Sequence, residues 1–204
     1  MVSETAPPGI DREAQIVRSA YRVMASRGSL RLSLQDIADE AGVSKALLLY
    51  HFGTKDNLLL AAMRWALQGT SDRIRKSIDG VADATVAINA LIEAVFVGPQ
   101  LNRDFILFYL DLVEHLARVP TFAELSAMLH DEINALYAEV ITAGKEQGVF
   151  FVDDVDAAAR DMRSLIEGTF LQWIQSPQWE QDHALWRDGC RRALQRLLGV
   201  ASSQ

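Results

Sequence analysis

The stretch from Ser33 to Asn57, SLQDIADEAGVSKALLLYHFGTKDN, constrains this chain more than any other. Ser33 followed three residues later by Asp36 is a capping-box start for a helix. Ile37, Ala38 and Ala41 give that helix an apolar side, with Ala38 small enough for a second helix to cross closely. Gly42 stands where a helix end favours a left-handed residue. Val43 plugs the turn, and Ser44 caps a second short helix from about Lys45 to His51. Leu48 and Phe52 then face a core, while Lys45, Ala46, Tyr50 and His51 point elsewhere. Two short helices around a Gly-containing turn are helix-turn-helix syntax, in which the second helix enters a major groove. An αα-hairpin in an ordinary bundle carries the same caps, so the spacing alone admits both readings.

The longer run GVSKALLLYHFGTKDNL resembles the signature of the TetR family of bacterial one-component regulators, usually GVSKG-x-LY-x-HF-x-SK-x-x-L. Gly42, Val43, Ser44, Lys45, Leu48, His51, Phe52, Lys55 and Leu58 all fall in place. Two positions depart from it. Ala46 stands where Gly is common, and Leu49 stands where the family usually has a Tyr that touches backbone phosphate, although Tyr50 beside it is retained. The resemblance covers about residues 11–65 at motif level and the remainder in helix order and length. It implies an all-α fold: a flexible lead over 1–10, a three-helix DNA-binding unit over 11–56 and a six-helix ligand-binding and dimerisation bundle over 57–204. The implied function is that of a ligand-responsive regulator, expected to be a repressor. A small hydrophobic or amphipathic inducer would release it from a palindromic operator on double-stranded DNA. Candidate DNA contacts are Ser33, Ser44, Lys45, Ala46, Tyr50, His51 and Lys55. Lys45 and Tyr50 are expected at the groove, Ser44 and Lys55 on phosphates, and His51 at either.

Charge distribution bears on this reading. The chain carries a formal net charge of −7, which is unlike a generally basic nucleic-acid binder. Residues 1–56, however, hold seven Lys/Arg and seven Asp/Glu, so all the excess acidity lies beyond the hairpin. A local patch would do the binding. Cys190 is the one cysteine in the sequence, which excludes an intrachain disulfide and fits a reducing cytoplasm. No apolar run approaches the roughly 20 residues of a membrane span, and the first ten residues lack the pattern of a signal peptide. A cytoplasmic protein without membrane contact is expected.

Half of the residues are hydrophobic and only five are Pro, a composition suited to helices. Helix one is expected from Asp11 to about Arg27. A long helix capped by Thr54 should run to about Ile78, belonging to both parts of the molecule and serving as a lever between them. Ile88, Leu91, Ile92, Val95 and Phe96 repeat with helical period before Gly98-Pro99 breaks the chain. The next helix, roughly Asn102 to Arg118, has an apolar stripe too wide for a surface position and should be central. A further helix follows Pro120, another is expected to be capped by Asp156, and a last one spans about Asp182 to Leu198. The sequence has no period-two strands, no repeats and no low-complexity tract; nine helices are expected.

Two more sites follow from the apolar stripes. Trp65, Phe96, Phe105, Phe108, Tyr109, Leu112, Met128, Phe170 and Trp173 are the candidate lining of an inducer cavity around the central helix, with a fully packed core as the alternative. Asp111, Glu114 and Glu167 tilt the expected ligand toward a neutral or cationic molecule. Met162, Ile166, Trp186, Cys190, Ala193, Leu194 and Leu197 on the last two helices suggest a homodimer formed as a four-helix bundle, the alternative being that they pack on their own subunit.

An enzyme is not expected. The sequence has no GxSxG, no Gly-rich phosphate loop, no HExxH and no CxxC. Asp111 and His115 lie four apart on a helix, a pair that reads as polar contact at a pocket or interface rather than as a metal site. No catalytic residue, metal or cofactor is anticipated.

Overall fold

A computed structural model describes residues 12–27, 33–116 and 120–200. The lead anticipated over 1–10 lies outside the described residues, as does the side chain of His115. Among the described residues there are nine helices and no strand. They are α1 (Arg12–Arg27), α2 (Leu34–Ala41), α3 (Lys45–Phe52), α4 (Lys55–Ile78), α5 (Ala84–Val95), α6 (Pro99–Leu116), α7 (Pro120–Glu146), α8 (Val155–Trp173) and α9 (Trp179–Leu197).

Local chemistry sets most of the helix starts. The Ser33 hydroxyl accepts from the Asp36 amide at 3.2 Å and the Asp36 carboxylate accepts from the Ser33 amide at 2.8 Å, a complete capping box on α2. Gly42, at φ +64°, closes the helix: its own amide donates to Asp39 and that of Val43 to Ala38, the two bonds of a Schellman turn. Ser44 caps α3 and Thr54 caps α4, each accepting from the amide three residues on at 3.1 Å. Asp83 does the same for α5.

Three boundaries differ from expectation. Asp154, not Asp156, caps α8, through the Ala157 amide at 2.9 Å. Pro99 does not merely end the preceding helix; it opens α6, because the first turn has no use for the amide hydrogen that Pro lacks. α9 begins at Trp179, three residues before the anticipated Asp182.

The packing order places the sites. α1 lies against α2, α4 and α6, so the short hairpin α2–α3 is carried on a base of longer helices. α4 is continuous for 24 residues, about 36 Å at 1.5 Å per residue, and runs from the hairpin into the bundle against α5 and α7. α6 touches α1, α4, α7, α8 and α9, the central position its wide stripe implied. α8 packs between α7 and α9. A continuous core joins all of these, from Ile16, Ile37 and Leu48 near the hairpin to Phe150, Trp173 and Leu194 at the other end. No single described helix is long and apolar enough to cross a membrane.

Candidate functional site

The hairpin sorts its residues cleanly. Leu48 and Phe52 on α3 are buried, against a core that includes Ile37, Ala38 and Ala41 of α2. Lys45, Ala46, Leu49, Tyr50 and His51 are exposed, Tyr50 at 84%. A large aromatic ring held in water on a short helix has little structural reason to be there. Its ring sits edge-on to that of His51, 5.5 Å between centroids, so the two form one small surface. Ser33 and Ser44 are exposed at the N-termini of α2 and α3, and Lys55 is half-buried at the N-terminus of α4. Three helix N-termini with their amide dipoles, together with Lys45 and Lys55, form a set of groups suited to phosphate despite the neutral count of the region.

Behind the hairpin, two cavities lie between the helices of the bundle. The outer one, about 250 Å³, is bounded by Tyr21 of α1, by Trp65, Gly69 and Arg73 of α4, and by Leu101 and Phe105 of α6. The inner one, about 60 Å³, is bounded by Tyr109, His130, Tyr137, Arg163 and Glu167 among apolar neighbours. Thr70, Val95, Phe105 and Phe170 belong to both walls, so the cavities adjoin. Each is below the roughly 300–1,000 Å³ of drug-sized pockets, which limits an occupant to a small molecule unless helices move.

The inner cavity holds a cluster of polar side chains. Tyr109 Oη and His130 Nε2 are 3.0 Å apart, and Ser126 Oγ lies 3.5 Å from His130 Nδ1. Glu167 Oε1 lies 3.4 Å from Arg163 Nε, an ion pair whose buried Nε makes no hydrogen bond. Burial raises the Glu167 carboxyl above its ordinary range, and Arg163 only partly opposes it. Burial, reinforced by Glu167, pushes the Tyr109 phenol up to about 12, and the same causes raise Tyr137 further. Burial and then Arg163 hold His130 below its usual value, which favours the neutral ring. The cavity therefore presents aromatic faces, neutral polar groups and one carboxyl beside one guanidinium.

Of the nine residues anticipated at a cavity, Trp65, Phe105, Tyr109 and Phe170 line these two. Phe96, Phe108, Leu112, Met128 and Trp173 line neither, a correction with a packing cause in each case. Phe96 stacks behind Phe170 at 4.5 Å, and Phe108 packs its ring on Tyr21 at 4.8 Å. Leu112 is fully buried. Trp173 donates its indole N–H to the Trp179 carbonyl at 2.7 Å, and Met128 is 54% exposed. Sequence reasoning missed His130 and Arg163 and read Tyr137 only as core. The available signal was polar groups set into otherwise apolar helical faces: Tyr137 lies seven residues after His130 and Glu167 four after Arg163.

A second correction concerns α8 and α9. Met162, Ile166, Cys190 and Leu194 were expected at a subunit interface, yet they are buried within the protomer itself. Burial raises the Cys190 thiol to about 11, opposed by the Thr169 hydroxyl and by Arg191. The outward side of the same helices forms a groove of about 570 Å³, lined by Leu165, Gly168, Thr169, Leu185, Trp186 and Ala193, and Cys190, though buried, is also part of its wall. Trp186 and Ala193, also named for that interface, border this groove, and Leu197 is half-buried. Among the described residues no group of three His, Cys, Asp or Glu could hold a metal ion.

Comparison with known proteins agrees with this arrangement. Residues 16–62 match the family described as bacterial regulatory proteins, tetR family, and residues 84–199 match the C-terminal region of BetI-type transcriptional repressors. The transcriptional regulator BetI of Brucella canis is 34% identical over 167 residues, 79% of this chain and 79% of the relative. The transcriptional repressor KstR2 of Rhodococcus jostii is 28% identical over 166 residues, covering 78% and 81% of the two chains. A protein from Saccharomonospora viridis, described as a transcriptional regulator and solved in complex with choline, superposes with a TM-score of 0.82 at 27% identity, over 92% of this chain and 97% of that one. With both parts of the chain matched, this is a DNA-binding, ligand-responsive transcriptional repressor rather than an enzyme, and the chain belongs to the TetR family of bacterial regulators.

Proposed function

We propose that this repressor acts in the cytoplasm as a homodimer on a palindromic operator and is released by a small amphipathic molecule with a positively charged end. Residues 11–56 form the DNA-reading part and residues 57–204 the sensing and dimerising part. Tyr50, Lys45, Ala46 and His51 meet the groove, while Ser33, Ser44 and Lys55 hold phosphates at the three helix N-termini. The groove of α8 and α9 receives the same groove of a second copy, giving a four-helix bundle around a two-fold axis. Two reading helices then require half-sites about one helical turn of DNA apart.

The observation that carries the ligand class is Glu167, a half-buried carboxylate set in an aromatic cavity 3.4 Å from Arg163 Nε. A cation entering there gains both the carboxylate and the faces of Phe105, Tyr109 and Phe170. Asp111 and Glu114, which also suggested a cationic ligand, line neither cavity. The choline bound by the relative from Saccharomonospora viridis fits the same chemistry and makes choline the first probe. Apolar residues Trp65, Val97 and Leu101 around the outer cavity suit a carbon chain attached to the charged end.

The test starts from a DNA site selected by the protein from a randomised pool. Choline and longer-chain quaternary ammonium compounds should raise the Tm and weaken operator binding about 5- to 150-fold, the usual range of coupling between two sites. Glu167→Gln should keep DNA binding and lose that response. Release by fatty acids or aromatic acids alone, undiminished in Glu167→Gln, would instead assign the cavity to anions held by Arg163.

A further inference from the structure

We propose that Tyr21 reports the state of the outer cavity to the DNA-binding hairpin, so that an occupant acts on α1 directly and not only through α4. The inference rests on the reading that this cavity takes a ligand, and it names the residue through which occupancy is felt.

Tyr21 is the residue of α1 that forms part of the cavity wall. Its neighbours Val17, Ala20 and Met24 are buried in the core, while Tyr21 itself is half-buried with one side toward the cavity. Two rings grip it edge-on: Trp65 of α4 at 5.4 Å and Phe108 of α6 at 4.8 Å. They differ in freedom. Phe108 is 1% exposed and fixed by its surroundings, whereas Trp65 is 41% exposed and itself borders the cavity. An occupant that presses on Tyr21 or Trp65 therefore meets a yielding ring on one side and a rigid one on the other. Close-packed side chains pass such displacement on rather than absorb it, and the element left to move is α1.

What α1 carries is the hairpin. Gln15 Nε2 donates to the Ala41 carbonyl at the end of α2 at 2.9 Å, and Arg22 pairs with Glu40 at 3.1 Å. The exposed ion pair contributes little by itself, but Ile16 and Ala20 of α1 and Ile37 and Ala38 of α2 are each fully buried, so the two helices shift together. On its far side Tyr21 also borders a polar cleft of about 300 Å³ with Arg22, Glu40 and Asp104, which leaves room for that shift. The phenol is no charge switch. Burial, then Asp104, pushes it up to about 12 against the opposing effect of Arg73, so it stays protonated and the coupling is steric.

A tethered occupant tests this without any ligand. Gly69 lies mid-helix on α4 in the cavity wall, and a Cβ there meets only the end of the Arg73 side chain at 3.9 Å. Gly69→Phe places a ring in the cavity while improving helix propensity. The experiment is a double-mutant cycle of Gly69→Phe with Tyr21→Ala, read as affinity for the selected operator and as amide hydrogen exchange across residues 34–52. With Tyr21 present, Gly69→Phe should weaken operator binding about 5- to 150-fold and speed exchange in the hairpin. In the Tyr21→Ala background both effects should largely vanish. Tyr21→Phe should behave as wild type, because the ring and not the hydroxyl couples. Tyr21→Leu replaces Tyr21→Ala should the latter fail to fold. Equal losses in both backgrounds, or no effect of Gly69→Phe in either, would overturn the proposal. Failure to select any DNA site would count against the regulatory reading, while the exchange measurement would still decide the coupling.

Discussion

His183 of α9 donates its Nε2 hydrogen to Oδ1 of Asn102 on α6 across 2.8 Å, joining two helices 81 residues apart in sequence. The orientation is fixed by the rest of the network. Asn102 Nδ2 donates to the Val95 carbonyl at 2.8 Å and the Gly98 amide donates to Oδ1 at 3.3 Å, so Oδ1 is the acceptor. The imidazole is wedged between the rings of Trp173 and Phe96, with centroids at 5.2 and 5.8 Å. Asn102 also borders the outer cavity, so this bond ties a cavity wall to the helix that forms the α9 side of the groove.

That environment gives a pH dependence. Burial, then Arg187, lowers the His183 pKa below its ordinary 6.5, with Glu93 acting against them. His130 is lowered as well, by burial and Arg163, with Asp131 opposing. The unfolded chain therefore binds protons at higher pH than the folded one. The stability these two histidines contribute is fully present above about pH 6.5 and declines as pH falls below it. Urea midpoints at pH 7.5 and pH 5 should differ less in His183→Gln than in wild type. Identical differences would assign the loss to other groups.

The turn after α7 predicts a costly small substitution. Gly148, at φ +70°, reverses the chain, and the amides of Val149 and Phe150 both donate to the Gly144 carbonyl. The fully buried Phe150 ring then lies directly on Gly144, in the space a Cβ would occupy. Gly144→Ala gains about 1 kcal/mol in helix propensity, yet the overlap with an immobile ring should leave a net loss of about 1–3 kcal/mol. Gly168→Ala, which meets nothing within 4 Å, is the control and should not destabilise the protomer.

Subunit association should separate from protomer stability along α9. Leu185 is 66% exposed and lines the outward groove, whereas Leu194 is fully buried. Leu185→Asp should leave the thermal transition of the protomer within about 0.5 kcal/mol, as surface changes do, while sedimentation shows monomers and operator binding fails. Leu194→Asp should unfold the chain by burying an unpaired carboxylate. A Leu185→Asp variant that still sediments as a dimer would place the interface elsewhere.

On the hairpin, Tyr50→Ala should weaken operator binding about tenfold or more while changing stability by less than about 0.5 kcal/mol, because the ring is 84% exposed and meets the ring of the likewise exposed His51. Lys55→Ala should weaken binding to all sequences alike and reduce the slope of log affinity against log salt by about one. An unchanged slope would remove Lys55 from the phosphate contacts.

How much of this was legible in the sequence depends on the range of the interaction. The hairpin was readable almost residue by residue. Ser33 with Asp36, Gly42, Ser44 and Thr54 act within three or four residues, and Leu48 and Phe52 mark the inner side of α3 by spacing alone. Choice between equivalent neighbours was not readable: Asp154 and Asp156 have the same chemistry, and it is the former, in extended backbone just before α8, that caps it. The inner face of α8 was likewise hidden. Met162, Ile166 and Phe170 alternate around the helix with Leu165, Gly168 and Thr169, and a helical period cannot say which set meets its own core.

The sequence by itself determined the run of helices, the caps of α2, α3 and α4 and the face of α3 turned away from the core, because these rest on local hydrogen bonds and on side-chain spacing along one helix. Only the tertiary structure decided that Phe108 is core while Phe105 borders a cavity, that Tyr109 meets His130, and that Tyr21 stands between the cavity and the hairpin. Those relationships depend on how five or six helices cross one another. Crossing is set by close packing of side chains far apart in sequence, and no spacing along one helix encodes it.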